Sequence, residues 1–105
     1  MGSAAPQVVI ADDDVLLREG LASLLDRSGY EVVDQAGNAA ALLALVRTHR
    51  PDLVIVDIRM PPSHTTEGLD AARTIRAEIT DILIQITTAI TRQLGDMAMP
   101  RNQKI

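Results

Sequence analysis

The sequence predicts an α/β protein built on a doubly wound parallel sheet, and three observations carry that expectation. Four short apolar runs lack helical spacing, and amphipathic stretches separate them. The order that results is βαβαβαβ, which calls for parallel strands with helices on both faces. Acids stand where the first and third runs end, at Asp12-Asp13-Asp14 and at Asp57.

The first run, Gln7–Ala11, reads as a buried strand. Asp14 can cap the helix that follows, in which Leu17, Leu21, Leu24 and Leu25 recur on one side. Ser28-Gly29 ends that helix, glycine suiting the turn at a helix C-terminus. Tyr30–Gln35 is a second, weaker strand. Asn38 is the expected N-cap of a helix over Ala39–His49, with Leu42, Leu45, Val46 and His49 along one side, and Pro51 keeps it from running on. Leu53–Val56, apolar at every position, reads as an internal parallel strand that ends at Asp57. The loop Met60–Thr66 leads to a third helix near Glu67–Glu78, with Leu69, Ala72, Ile75 and Ile79 on its apolar side. Ile82–Thr88 is the fourth strand, with Gln85 a polar intruder. Beyond it, Ile90, Leu94 and Met97 keep helical spacing, but Gly95 interrupts the pattern and Pro100 stops it.

The composition bounds the function. One modest domain fits in 105 residues, and nearly half of them are apolar. The core is aliphatic, Tyr30 being the single aromatic residue. A net charge of −4 without a dense basic run argues against direct binding of nucleic acid or an anionic membrane by this segment. No apolar run approaches the length of a membrane span. Residues 1–6 have neither a basic nor an apolar region, so they read as a disordered terminus or a tag remnant rather than a signal peptide. The absence of cysteine fits a reducing compartment, and the expected location is cytoplasmic.

Ligands on parallel α/β sheets collect at the carboxyl ends of the strands. If the first and third strands are neighbours, Asp12, Asp13 and Asp57 converge there. Three carboxylates share a pocket only with a cation between them, and hard oxygen ligands favour Mg²⁺. Such a metal would offset the charge of Asp57 and let it accept a phosphoryl group.

In combination, Val9-Ile-Ala-Asp-Asp13, Arg18-Glu-Gly-Leu21, Asp52-Leu-Val-Ile-Val-Asp-Ile-Arg-Met-Pro61 and Glu67-Gly-Leu69 resemble the receiver domain of two-component response regulators, over residues 7–89. Leu17-Arg-Glu-Gly-Leu21 resembles the subfamily whose receivers precede a LuxR-type helix-turn-helix. The resemblance implies a flavodoxin-like receiver fold, phosphorylation of Asp57 by a sensor histidine kinase, and signalling rather than turnover. It implies that Asp13 ligates Mg²⁺ directly and Asp12 largely through water, with the backbone carbonyl of Arg59 as a further ligand. It also implies that the Thr88 hydroxyl turns toward the phosphoryl group.

Two departures accompany it. The loop Pro61–Thr66 is longer than the common form. After Ala89 there is room for one helix and a tail, so the usual fifth strand, its lysine and the last helix are expected to be missing, and residues 90–105 to be atypical. Lys104, the one lysine, has no strand before it and does not take the family lysine's role. An exposed fourth-strand edge would then favour homodimerisation or exchange of elements, and a receiver used for interaction without phosphotransfer is the alternative. A remote alternative, an aspartyl-phosphate phosphatase, finds an Asp-x-Asp run at Asp12–Asp14 but needs a longer chain. His49 and His64 lack metal-ligand spacing, and Arg73 and Arg76 read as a solvated helix face.

Overall fold

The computed structural model describes residues 5–58, 60, 61, 63, 65–79 and 81–87, with only the backbone of Thr87. Four strands, β1 (Gln7–Ala11), β2 (Glu31–Ala36), β3 (Leu53–Asp57) and β4 (Leu83–Thr87), alternate with α1 (Val15–Arg27), α2 (Ala39–His49) and α3 (Glu67–Glu78). All strand pairs are parallel, in the order β2-β1-β3-β4. This is the doubly wound sheet that the alternation of elements predicts. β1 and β3 are central neighbours, with Val8 opposite Leu53 and Ala11 opposite Val56. The chain goes from β1 outward to β2 and then back across to β3, so the sheet's switch point lies beside β1.

Local chemistry sets the element boundaries. The Asp14 carboxylate accepts the Leu17 N–H at 3.0 Å and starts α1. Asn38 Oδ1 accepts the Ala41 N–H at 2.8 Å and starts α2. Gly29 leaves α1 at φ +96°, a conformation that glycine adopts without a Cβ penalty. Arg50 ends α2 in the left-handed region at φ 48° and ψ 59°, just before Pro51. β2 runs one residue later than the apolar pattern places it. It also carries a bulge against β1 between Val8 and Val9.

The two faces of the sheet differ. Val9, Ala11, Val54 and Val56 join Leu42 and Val46 of α2, Ala71, Ala72 and Ile75 of α3, and Met60, Ile79 and Ile82 in one buried core. Val8 and Ile10 point to the opposite face, where α1 lies against β1 and β2. The apolar side of α1 is less covered than its spacing implies: none of its residues is fully buried, and Leu24 is 51% exposed. β3 likewise alternates between buried Val54 and Val56 and half-buried Leu53 and Ile55, so its α1 side is only partly covered. On that same side of β4, Gln85 is exposed beside Leu83, where a polar side chain meets water rather than core.

Arg73 and Arg76 are exposed as expected, and with Leu69, Ala72, Ile84 and Ile86 they border an open groove of about 400 Å³ between α3 and β4. His49 is half-buried, with Nε2 3.6 Å from Asp34 of β2. No helix among the described residues is long and apolar enough to cross a membrane. The expectations for residues 90–105, for His64 and for the first four residues lie outside the described residues.

Candidate functional site

Asp12 is the first residue past β1, and its N–H still donates to the Ala36 carbonyl of β2 at 3.0 Å. There the chain turns. Asp12 Oδ1 accepts the Asp14 N–H at 2.8 Å, an Asx turn that swings the backbone into α1. Asp57 is the last residue of β3 and pairs with Thr87 of β4. Asp12 is 2% exposed and Asp57 0%, whereas Asp13 opens toward solvent.

Two devices fix Asp57. Met60, fully buried, anchors the loop that leaves β3. Gly68, in the first turn of α3, lies directly on the Asp57 backbone and donates its N–H to the Ile58 carbonyl at 2.7 Å. A Cβ at position 68 would stand 1.7 Å from the Asp57 carbonyl oxygen and 2.6 Å from its carbon. No side chain fits there without moving the backbone.

The three acids meet as the sequence predicts. One carboxylate oxygen from each of Asp12, Asp13 and Asp57 lies within 4.8 Å of the others. At such separations each pair of charges repels by about 3–4 kcal/mol in an effective dielectric of about 20. Two of the three are buried, so solvent screening is weak. An all-carboxylate donor set at this spacing fits a hard divalent cation such as Mg²⁺, which takes a few carboxylates and keeps water on its other positions.

The response regulator receiver domain family matches residues 8–101. The chain belongs to that family. The match runs past Ala89, where the motif-based resemblance stops. Transcriptional regulatory protein PdtaR of Mycobacterium tuberculosis is 37% identical over 97 residues, which make up 91% of this chain and 46% of that protein. Probable transcriptional regulatory protein NarL of the same organism is 40% identical over 72 residues, 68% of this chain and 31% of that protein. The chain thus spans less than half the length of these relatives. Among solved structures, a LuxR-family two-component response regulator from Aurantimonas superposes with a TM-score of 0.72 at 33% identity, covering 80% of this chain and 59% of that one. The receiver domain of the Mycobacterium tuberculosis response regulator NarL superposes with a TM-score of 0.74 over 94% of this chain and all of that domain. At 24% identity it speaks for the fold.

Of the site residues that the receiver resemblance implies, Asp12, Asp13 and Asp57 are brought together. Arg59 and Thr88 lie outside the described residues. Two further residues shape the site without having been singled out for it. Gly68 belongs to a quoted motif, and its signal is a glycine inside the first turn of a helix, where propensity alone disfavours it. Arg18 reaches the Asp12 carbonyl from α1, a contact that no sequence spacing announces.

Proposed function

We propose that this receiver domain accepts a phosphoryl group on Asp57 from a sensor histidine kinase, in a Mg²⁺-dependent reaction, and acts as a cytoplasmic signalling switch. The observation that carries this reading is the convergence of Asp12, Asp13 and Asp57 at the ends of adjacent strands in a receiver-family chain. Asp57 supplies the nucleophile: a carboxylate oxygen attacks phosphorus, an O–P bond forms, and the N–P bond of the kinase's phosphohistidine breaks. The departing imidazole takes its proton from solvent. Asp12 and Asp13, with Asp57 and the backbone carbonyl of Arg59, would hold the Mg²⁺. When bound, the metal offsets the charge of the carboxylates and of the phosphoryl oxygens.

Burial of Asp57 and the close fit of Gly68 hold the nucleophile in one orientation. The Thr88 hydroxyl takes the switch role that the family assigns it, and the modified site biases the surface near β4. The domain assists its own phosphorylation and dephosphorylation and is not a turnover enzyme. Regulation of transcription, a function in the relatives' names, would lie in an output region joined to this domain.

The decisive experiment is the intact mass after incubation with acetyl phosphate and Mg²⁺, beside Asp57→Ala and an EDTA control. A single phosphate adduct that needs both Asp57 and Mg²⁺ is expected. No adduct on a sample shown by NMR to be folded would refute the reading. The same protein is expected to turn over no chromogenic phosphate ester.

A second reading starts from β4, an outer strand of the sheet among the described residues. Leu83 is 64% exposed on β4. A homodimer formed through that edge predicts a concentration-dependent mass by light scattering that Leu83→Lys abolishes. A monomer at every concentration would count against it.

A further inference from the structure

The arginine of Leu17-Arg-Glu-Gly-Leu21 has no part in the chemistry above, yet it is half-buried and turned toward the acids rather than out along the helix surface. Its Nη1 donates to the backbone carbonyl of Asp12 at 2.8 Å, and its Nε donates to Gln35 Oε1 at 3.2 Å. The guanidinium lies close over Gly37, where an added Cβ would be 3.2 Å from Nη1. One side chain on α1 therefore spans from the end of β1 to the end of β2.

The Asp12 carbonyl belongs to the peptide that joins Asp12 to Asp13. The N–H of Asp12 is held by Ala36 and its Oδ1 by the Asp14 N–H, so the clamp from Arg18 fixes the side of Asp12 that leads to Asp13. We propose that Arg18 is a positioning residue for the metal site: its planar fork sets the plane of the Asp12–Asp13 peptide and thereby aims both carboxylates at the point that Asp57 faces. The proposal rests on the Mg²⁺-dependent reading of the site. A planar guanidinium with two donors in fixed relation suits such a clamp, whereas a lysine ammonium brings charge without the fork. Groups one step behind metal ligands commonly alter affinity by about tenfold or more when removed.

The test is a ¹H–¹⁵N NMR titration with Mg²⁺ of the wild type, Arg18→Met, Arg18→Lys, Gln35→Leu and Asn38→Ala, with melting temperatures recorded in EDTA. Arg18→Met is expected to weaken Mg²⁺ binding about tenfold, and Arg18→Lys and Gln35→Leu by less but measurably. The amide nitrogen of Asp13, in the clamped peptide, is expected to shift in the metal-free spectra of the Arg18 variants. Asn38→Ala removes the α2 cap and should lower the melting temperature while leaving Mg²⁺ affinity within about twofold of wild type.

Affinity unchanged in Arg18→Met overturns the proposal. So does wild-type affinity in Arg18→Lys, which would make charge alone responsible. A loss that merely tracks melting temperature, Asn38→Ala included, would reduce Arg18 to a structural tie. Should Arg18→Met fail to fold, Arg18→Lys and Gln35→Leu decide. A wild type that binds no Mg²⁺ refutes the metal site itself, and the positioning role falls with it.

Discussion

The two faces of the sheet hold the site's acids by different means. From the side of α2 and α3, packing does it: Asp57 ends a strand whose Val54 and Val56 are fully buried, Met60 in the loop that follows is buried too, and Gly68 presses on its backbone. Under α1 the strand is covered, Val8 and Ile10 fully, but the helix brings no fully buried side chain of its own. Leu16 is 81% exposed, no residue of α1 is fully buried, and Asp12 is fixed instead by its N–H donating to Ala36 and by donors from Asp14 and Arg18. An acid set by close packing and acids set by a hydrogen-bonded turn have different tolerances. The first resists any change of volume. The second resists any loss of a donor.

Gly68→Ala attacks the packed side where it is tightest and should have the largest effect. A Cβ 1.7 Å from the Asp57 carbonyl oxygen forces α3 and β3 apart. Overpacking against rigid backbone is expected to cost about 3 kcal/mol or more. Urea unfolding should show the loss, and acetyl phosphate labelling of whatever remains folded should fall with it. A variant of wild-type stability that labels normally would show that the close approach is dispensable.

A matched pair of truncations sharpens the contrast between the faces. Ile75 of α3 is 1% exposed in the core, so Ile75→Ala should cost about 2–5 kcal/mol. Leu24→Ala on half-exposed ground in α1 should cost under about 1 kcal/mol. Equal losses in urea midpoint would mean that the α1 face is covered in solution by something that buries Leu24.

What could be read from the sequence follows the same division. The strands, three helices, both caps and the meeting of Asp12, Asp13 and Asp57 were legible, because periodicity marks elements and a parallel sheet sends its strand ends to one edge. Spacing along a helix shows which residues share a side, but not whether another element covers it. Leu24 and Gln85 therefore needed coordinates. The bulge of β2 opposite Val8 and Val9 and the reach of Arg18 from α1 to Gln35, seventeen residues on, are relations between elements with no local signature. Gly68 lay between. Its residue type hinted at a close approach, and only the structure named Asp57 as what it approaches.

The smallest expected effect concerns the start of α3, where the packed side depends on polar contacts in the loop. Thr66 makes no side-chain cap, and the Glu67 carboxylate turns back along the loop rather than into the helix. It accepts the Ser63 hydroxyl, the Ser63 N–H at 2.9 Å and the Thr65 N–H at 3.0 Å. Chiefly through the Ser63 hydroxyl, these donors lower its pKa from 4.5 to about 2. A carboxylate held below its unfolded value stabilises the fold in full above about pH 4.5, and that contribution drains away as pH falls toward 2. The Ser63→Ala variant should therefore trail the wild type in urea midpoint at pH 6, with the gap closing between pH 4.5 and 2. Water screens this exposed group, so the gap should be small beside that of Ile75→Ala. Comparing the two proteins at each pH cancels the other titrating carboxylates. A gap that stays constant down to pH 2 would mean that Ser63 acts on the loop by some route other than the charge on Glu67.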